Sequence, residues 1–222
     1  MKKHKLILFL LCSLAPLEMA YSKQLSVEVR GEYETWASGL GGQASAFLAG
    51  GGIAYYLNQY YIGGGFVTGD YQIENNANAD LRRNDIDFVA GYRIDNRLST
   101  FIGYRFNRMS YTSSDTLANS FDENTHGLGV GVSYTQKLKP KWGAFATMAL
   151  SGLYATTNYS NNLGDDTGKG FSLGTEGGLF YRIQENMNIA LRLKYQSTRL
   201  DYSETDWPHS YFRVGLNLDY YL

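Results

Sequence analysis

Outside the N-terminal segment the chain has two histidines, His126 and His209. His209 is followed by Ser210 and preceded by Asp206, so an acid, an imidazole and a hydroxyl share one short stretch. A general base needs a nucleophile or a water within hydrogen-bond reach and an acid to orient it. Asp206, His209 and Ser210, with His126 apart from them, are the candidates these residue types nominate. The stretch shows neither an Asp-x-His spacing nor a His-x-Ser-Asn run, so the expectation is a chain without catalysis. Asp165-Asp166, with Asn161 and Asn162 upstream, groups the oxygens that a hard cation wants. The spacing follows no calcium-loop pattern and reads as a solvated loop, so no metal is expected. Cys12 is the single cysteine. The chain after it therefore has no disulfide framework and no thiolate chemistry, and no cofactor is expected.

The segment that holds Cys12 looks like a secretory leader. Lys2, Lys3 and Lys5 precede the apolar run Leu6 to Ala15, and Ala20-Tyr21-Ser22 supplies small residues for cleavage after Ser22. The apolar run is about the length of a signal h-region and short of the roughly 20 residues a spanning helix needs. Residues 1–22 are thus read as a signal peptide and 23–222 as one domain. A net charge of −1 argues against a nucleic-acid partner. The composition joins 25 Gly and 19 Tyr to only 3 Pro. Tyrosine suits the boundary between an apolar wall and wet headgroups, and few prolines mean few broken strand ladders. Mean hydropathy is −0.32. A membrane protein this polar must cross as a barrel, where only one face of each strand meets lipid.

Period-two alternation predicts ten antiparallel strands: 25–36, 45–57, 60–72, 84–94, 98–111, 126–136, 142–155, 171–182, 188–202 and 210–222. Eight is the alternative, because the glycine runs Gly50-Gly51-Gly52 and Gly63-Gly64-Gly65 blur the second and third strands and leave their faces unassigned. Links at Asn58, Asp95, Lys137 and Glu185 are short, and the others are longer and polar. Short periplasmic turns and longer external loops are the barrel pattern. Two aromatic belts follow. Tyr55, Tyr56, Tyr60, Tyr92, Tyr134, Trp142, Tyr181, Tyr220 and Tyr221 lie at the turn end. Tyr33, Trp36, Tyr71, Tyr104, Phe106, Tyr111, Tyr154, Phe171, Tyr195, Tyr202 and Tyr211 lie at the loop end.

The same register sends many charges inward: Glu28, Arg30, Glu32, Glu34, Asp85, Asp87, Arg93, Arg105, Glu176, Arg182, Arg192, Lys194, Arg213 and Asp219. A ten-strand barrel is only slightly wider than one whose side chains fill it. Acids and bases in near balance should cross-link there, with Glu28 and Glu32 beside Arg213 across the seam. Arg82, Arg83, Arg108 and Arg199 fall near loop bases, where they suit lipopolysaccharide phosphates or loop carboxylates equally well. Leu117-Ala118-Asn119-Ser120-Phe121 is the most apolar loop stretch and a candidate adhesive tip.

The last strand, Arg213-Val214-Gly215-Leu216-Asn217-Leu218-Asp219-Tyr220, followed by Tyr221 and Leu222, resembles the C-terminal strand of bacterial outer-membrane proteins. With the leader and the alternating strands, the chain resembles the small barrels of the OmpA, OmpX and Ail type. It departs from them in ending on Leu222 rather than Phe and in its strand number. The resemblance implies an all-β transmembrane barrel in the outer membrane, monomeric, in contact with lipid and lipopolysaccharide. It also implies that Arg213, Gly215, Leu218 and Tyr220 are read by the barrel-assembly machinery. Its role would be structural, adhesive toward host surface molecules, or one of envelope integrity. A small diffusion channel is the alternative, and an outer-membrane protease or lipid A hydrolase a third reading.

Overall fold

A computed structural model describes residues 23–38, 43–73, 79–113, 120–160, 165–203 and 206–222. The expected leader lies outside them, as do Leu117, Ala118 and Asn119 of the expected adhesive tip, and Asn161 and Asn162. Ten strands run β1 (Gln24–Ser38), β2 (Gln43–Leu57), β3 (Tyr60–Ile73), β4 (Ala79–Arg93), β5 (Leu98–Ser113), β6 (Phe121–Lys139), β7 (Trp142–Tyr159), β8 (Asp165–Gln184), β9 (Met187–Asp201) and β10 (Asp206–Tyr221). Each pairs antiparallel with its neighbours, and β1 pairs with β10 to close the barrel. The eight-strand alternative is therefore excluded. The seam runs from Ser26 opposite Tyr221 to Ser38 opposite His209, and the main chains of Leu25 and Leu222 complete it.

The glycine-rich β2 and β3 are full strands. Asn58 sits at φ 54° in the tight turn between them, a left-handed backbone that asparagine tolerates and that two-residue hairpins require. Phe47, Ile53, Ile62 and Phe66 face out, while Leu48, Ala54, Tyr61 and Val67 face in. At Gly50 an added Cβ would lie 2.1 Å from the Phe66 carbonyl oxygen, so β2 and β3 approach there more closely than any side chain allows.

Strands β4, β6, β8 and β10 begin four to six residues earlier than alternation predicts. Alternation ends where lipid ends, because past that level both faces meet water. The hydrogen-bond ladder does not need lipid and continues. On β10 the outward apolar row runs from Phe212 to Leu222. At about 3.3 Å per residue and a tilt near 40°, that row climbs about 25 Å, the height of an outer-membrane apolar band. Above it the outer wall turns polar, with Arg82, Asn84, Arg108 and Asp122 in place of the apolar row.

Several aromatics assigned to the belts point inward instead. Tyr56, Tyr71, Tyr211 and Tyr221 are buried in the lumen, and Trp36 and Tyr111 pack against an inner apolar cluster. Their spacing along the strands puts them on the inner face, and a belt assignment by height alone misses this. These rings build two apolar layers. Tyr56, Tyr61, Phe101, Phe145, Phe180 and Tyr221 fill the turn end. Leu48, Val67, Tyr71, Leu81 and Met109 line one side of the loop end. Most of the inner charges lie above the turn-end layer and beside the loop-end cluster, with Leu48 opposite Glu32 and Ala46 opposite Glu34 in the register.

Candidate functional site

The inner charges converge from β1, β4, β5, β9 and β10, strands that the closed topology turns toward one another. Arg213 is the hub. Its guanidinium meets Glu32 at 3.1 Å, Asp85 at 2.9 Å and Glu34, all within a pocket where Arg213 is 3% exposed and Glu34 fully buried. Arg83 bridges the same acids, with Nη1 2.9 Å from Glu34 and Nε 2.9 Å from Asp85. Tyr71 donates its hydroxyl to Glu34, and Asn107 donates to Asp85. Arg105 binds Asp87 at 2.6 Å and donates to Gln196 at 2.7 Å and to the Tyr211 hydroxyl at 3.2 Å. The Tyr211 ring packs against two guanidinium groups, 4.5 Å from that of Arg83 and 4.7 Å from that of Arg213. Lys194 reaches the same ring at 5.8 Å.

A second group lies nearer the turn end and is looser. Glu28 contacts Arg30 at 3.0 Å and Arg192 at 3.7 Å, and Arg192 also meets Glu176 at 3.4 Å. Asp219 stands across the seam from Glu28. A third group lies toward the loop end, where the Tyr202 hydroxyl donates to Glu123 at 2.7 Å and Thr157 donates to Tyr202 at 3.3 Å.

Several expectations need correction. Arg213 takes Glu32 and Glu34 across the seam. Glu28 sits two turns of the alternation lower, opposite Asp219 rather than Arg213. Arg93 and Arg182 lie at the turn-end mouth and make no ion pair among the described residues. Arg93 instead stacks on Tyr56 at 5.0 Å. Arg83 is a lumen residue, not a rim residue, because its odd position on β4 shares a face with Asp85 and Asp87. The other rim arginines spend their charge on carboxylates: Arg82 on Asp70 at 2.6 Å, Arg108 on Asp122 at 3.1 Å, and Arg199 on Asp201 and Asp206. Glu123, Tyr71, Tyr202 and Tyr211 join the inner network without having been nominated. Counting parity along β6 and β10 would have found Glu123 and Tyr211.

The candidate catalytic residues do not form a unit. His209 and Ser210 are adjacent on a strand and so face opposite sides of the wall. His209 lies inward against Trp36, with ring centroids 6.4 Å apart. Asp206 is held by Arg199. His126 is on the outer face, where its Nδ1 lies 2.6 Å from the Tyr104 hydroxyl and its ring packs on Phe106. Asp165 and Asp166 belong to β8, and the Ser203 hydroxyl donates to Asp166 at 2.9 Å.

Arg213 and Gly215 of the terminal strand face inward, and Leu218 and Tyr220 face lipid. A Cβ at Gly215 would meet the Glu32 side chain at 2.9 Å, so that glycine also makes room for the network.

A closed, ten-strand cylinder with an apolar outer band and a charged interior defines an outer-membrane β-barrel protein. The family model for the outer membrane protein beta-barrel domain matches residues 37–220, and the chain belongs to that family. No curated protein sequence matches it significantly. Among solved structures it is similar to the outer membrane protease OmpT of Escherichia coli, at 13% identity, TM-score 0.58, 90% of this chain and 96% of that one. It is also similar to the translocator domain of the autotransporter NalP of Neisseria meningitidis, at 13% identity, TM-score 0.51, 91% and 89%. A third similar structure is the attachment invasion locus protein Ail of Yersinia pestis, at 11% identity, TM-score 0.43, 89% and 98%. At these identities the first two likenesses show the fold alone.

Proposed function

We propose that this protein is a non-catalytic outer-membrane barrel with a closed lumen, whose role is to hold its strand ends and loops above the bilayer. That role is structural or adhesive. The observation that carries the reading is the ionic hub of Arg213, Arg83, Glu32, Glu34 and Asp85, which lies beside the loop-end apolar cluster and above the turn-end layer of inward rings. Charges in such surroundings are costly unless paired, and paired they cross-link the wall. Groups that satisfy one another offer no selective path to a passing solute, which a pore lined by one sign of charge would do. The collar above the bilayer supports display. Its arginines are engaged by its own aspartates, leaving it self-neutralised where it meets lipopolysaccharide headgroups and host molecules.

Conductance in a planar bilayer tests the closed lumen. The expected trace is flat, with at most brief openings. Steady, ohmic open steps from the purified wild-type protein would replace this reading with that of a diffusion channel.

A further inference from the structure

The charges at the two ends of the barrel are used in different ways. At the loop end each of Arg82, Arg108 and Arg199 holds a carboxylate. At the turn end Arg97, Lys137, Lys139, Lys141 and Arg182 surround a cleft of about 500 Å³ between the β4–β5 turn, the β6–β7 turn and the turn-side end of β8, with the lumen-facing Thr135, Phe180 and Arg182 as its inner wall. Arg97, Lys139, Lys141 and Arg182 make no ion pair among the described residues. Asp95 is the acid nearest Arg97 in sequence, but its carboxylate accepts the backbone N–H groups of Arg97 at 2.6 Å and Leu98 at 2.8 Å. The Arg182 Nε is buried and lacks a hydrogen-bond partner.

The cleft is built rather than loose. The Thr135 N–H donates to the Arg97 carbonyl at 2.8 Å, and the Arg182 N–H donates to the Lys141 carbonyl at 2.8 Å. These bonds tie three hairpins into one rim. One lip is apolar: Leu138 and Trp142 are 56% and 45% exposed, and Trp142 packs on Tyr181 with centroids 4.9 Å apart. Exposed Trp and Tyr of this kind mark the level of lipid headgroups. The outer, basic rim of the cleft and its apolar lip lie at that level, beside the ester and phosphate region of the bilayer, whereas a site for a soluble anion needs no such lip.

We propose that this cleft binds the headgroup phosphate of an anionic phospholipid in the periplasmic leaflet. Arg97, Lys139 and Lys141 on the turns supply the charge, and Leu138 and Trp142 lie along the first acyl carbons. The turn end is then anchored by charge and the loop end is not. This inference stands apart from the closed lumen and from any conductance result.

The test is native mass spectrometry of the refolded full barrel with equimolar phosphatidylglycerol and phosphatidylcholine. Phosphatidylglycerol should be retained over phosphatidylcholine by roughly tenfold, as expected of a few basic residues beside an anionic headgroup. Lys139→Gln with Lys141→Gln should bring the ratio near unity, and Arg199→Gln should leave it unchanged. Lys139→Gln alone, with an intermediate ratio, serves if the double variant does not fold. Equal retention of both lipids by the wild type would overturn the proposal. So would a preference that survives the double variant, one lost equally in Arg199→Gln, or displacement of the lipid by millimolar inorganic phosphate, which would mark a soluble-anion site.

Discussion

Replacing Arg213 by Met is the sharpest perturbation of the inner network. Methionine keeps the unbranched stem and lacks the guanidinium and its charge. Three carboxylates, Glu32, Glu34 and Asp85, then lose their common partner in a space where each is less than a tenth exposed. Arg83 still reaches Glu34 and Asp85 at 2.9 Å, so those two keep one cation between them. Glu32 keeps none in direct contact among the described residues. Removing one member of a buried ion pair costs about 3–5 kcal/mol, mostly for the charge left behind. One orphaned and two half-satisfied acids place Arg213→Met in that range.

If the orphaned charge is the cause, removing it should restore stability. Arg213→Met with Glu32→Gln should cost about 2 kcal/mol less than Arg213→Met alone, a coupling expected only between groups in contact. Urea unfolding in lipid vesicles, followed by tryptophan fluorescence and by heat-dependent gel mobility, measures both. A loss under about 1 kcal/mol for Arg213→Met, as for exposed pairs, or strict additivity in the double variant, would refute the reasoning. Either result would mean that water already screens the hub.

Other outcomes follow from the same geometry. Gly50→Ala should destabilise the barrel by about 1–3 kcal/mol, because the new methyl meets backbone rather than a movable side chain; the same urea titration reads it. His126→Ala and His209→Ala should leave peptide cleavage and lipid A profiles identical to those of cells carrying the wild-type protein, by mass spectrometry. Arg82→Gln should change stability by less than about 1 kcal/mol, since its pair with Asp70 is exposed to water. Asp95 offers a pH test. The backbone N–H groups of Arg97 and Leu98 hold its carboxyl below the usual aspartate range. A depressed folded value means that its contribution is present above the unfolded pKa of about 3.9 and is lost as pH falls through the folded value. Asp95→Ala should therefore flatten the fall in stability as pH drops below about 4 relative to wild type, and an unchanged slope would remove this role.

Where one strand face meets lipid, the chain is easy to read. Leu128, Val130, Val132 and Tyr134 alternate with Gly127, Gly129, Gly131 and Ser133, and β6 follows that register. The inner charges of β1, β4 and β9 could be read for the same reason, since a two-residue period leaves no choice of face. Reading failed where that contrast vanished. In β2 and β3 glycine has no side chain to declare a face. Above the bilayer both faces are polar, so strand ends were read as loops and Arg83 as a rim residue. Tyrosine is ambiguous by chemistry, fitting a headgroup belt or a lumen wall, and only the parity of Tyr71 and Tyr211 decides between them.

The period of two and the pattern of the last strand were enough to specify an outer-membrane barrel from residues alone, because backbone groups in lipid must be satisfied within a closed sheet. Which acid meets which base was not contained in that pattern. Arg213, Glu34 and Asp85 are far apart along the chain and come together only because the closed sheet curves β10, β1 and β4 around one axis. Ion pairing depends on distances across the lumen, which local periodicity does not encode. The same holds for the cationic cleft, where three turns become one surface only after the strands between them have paired.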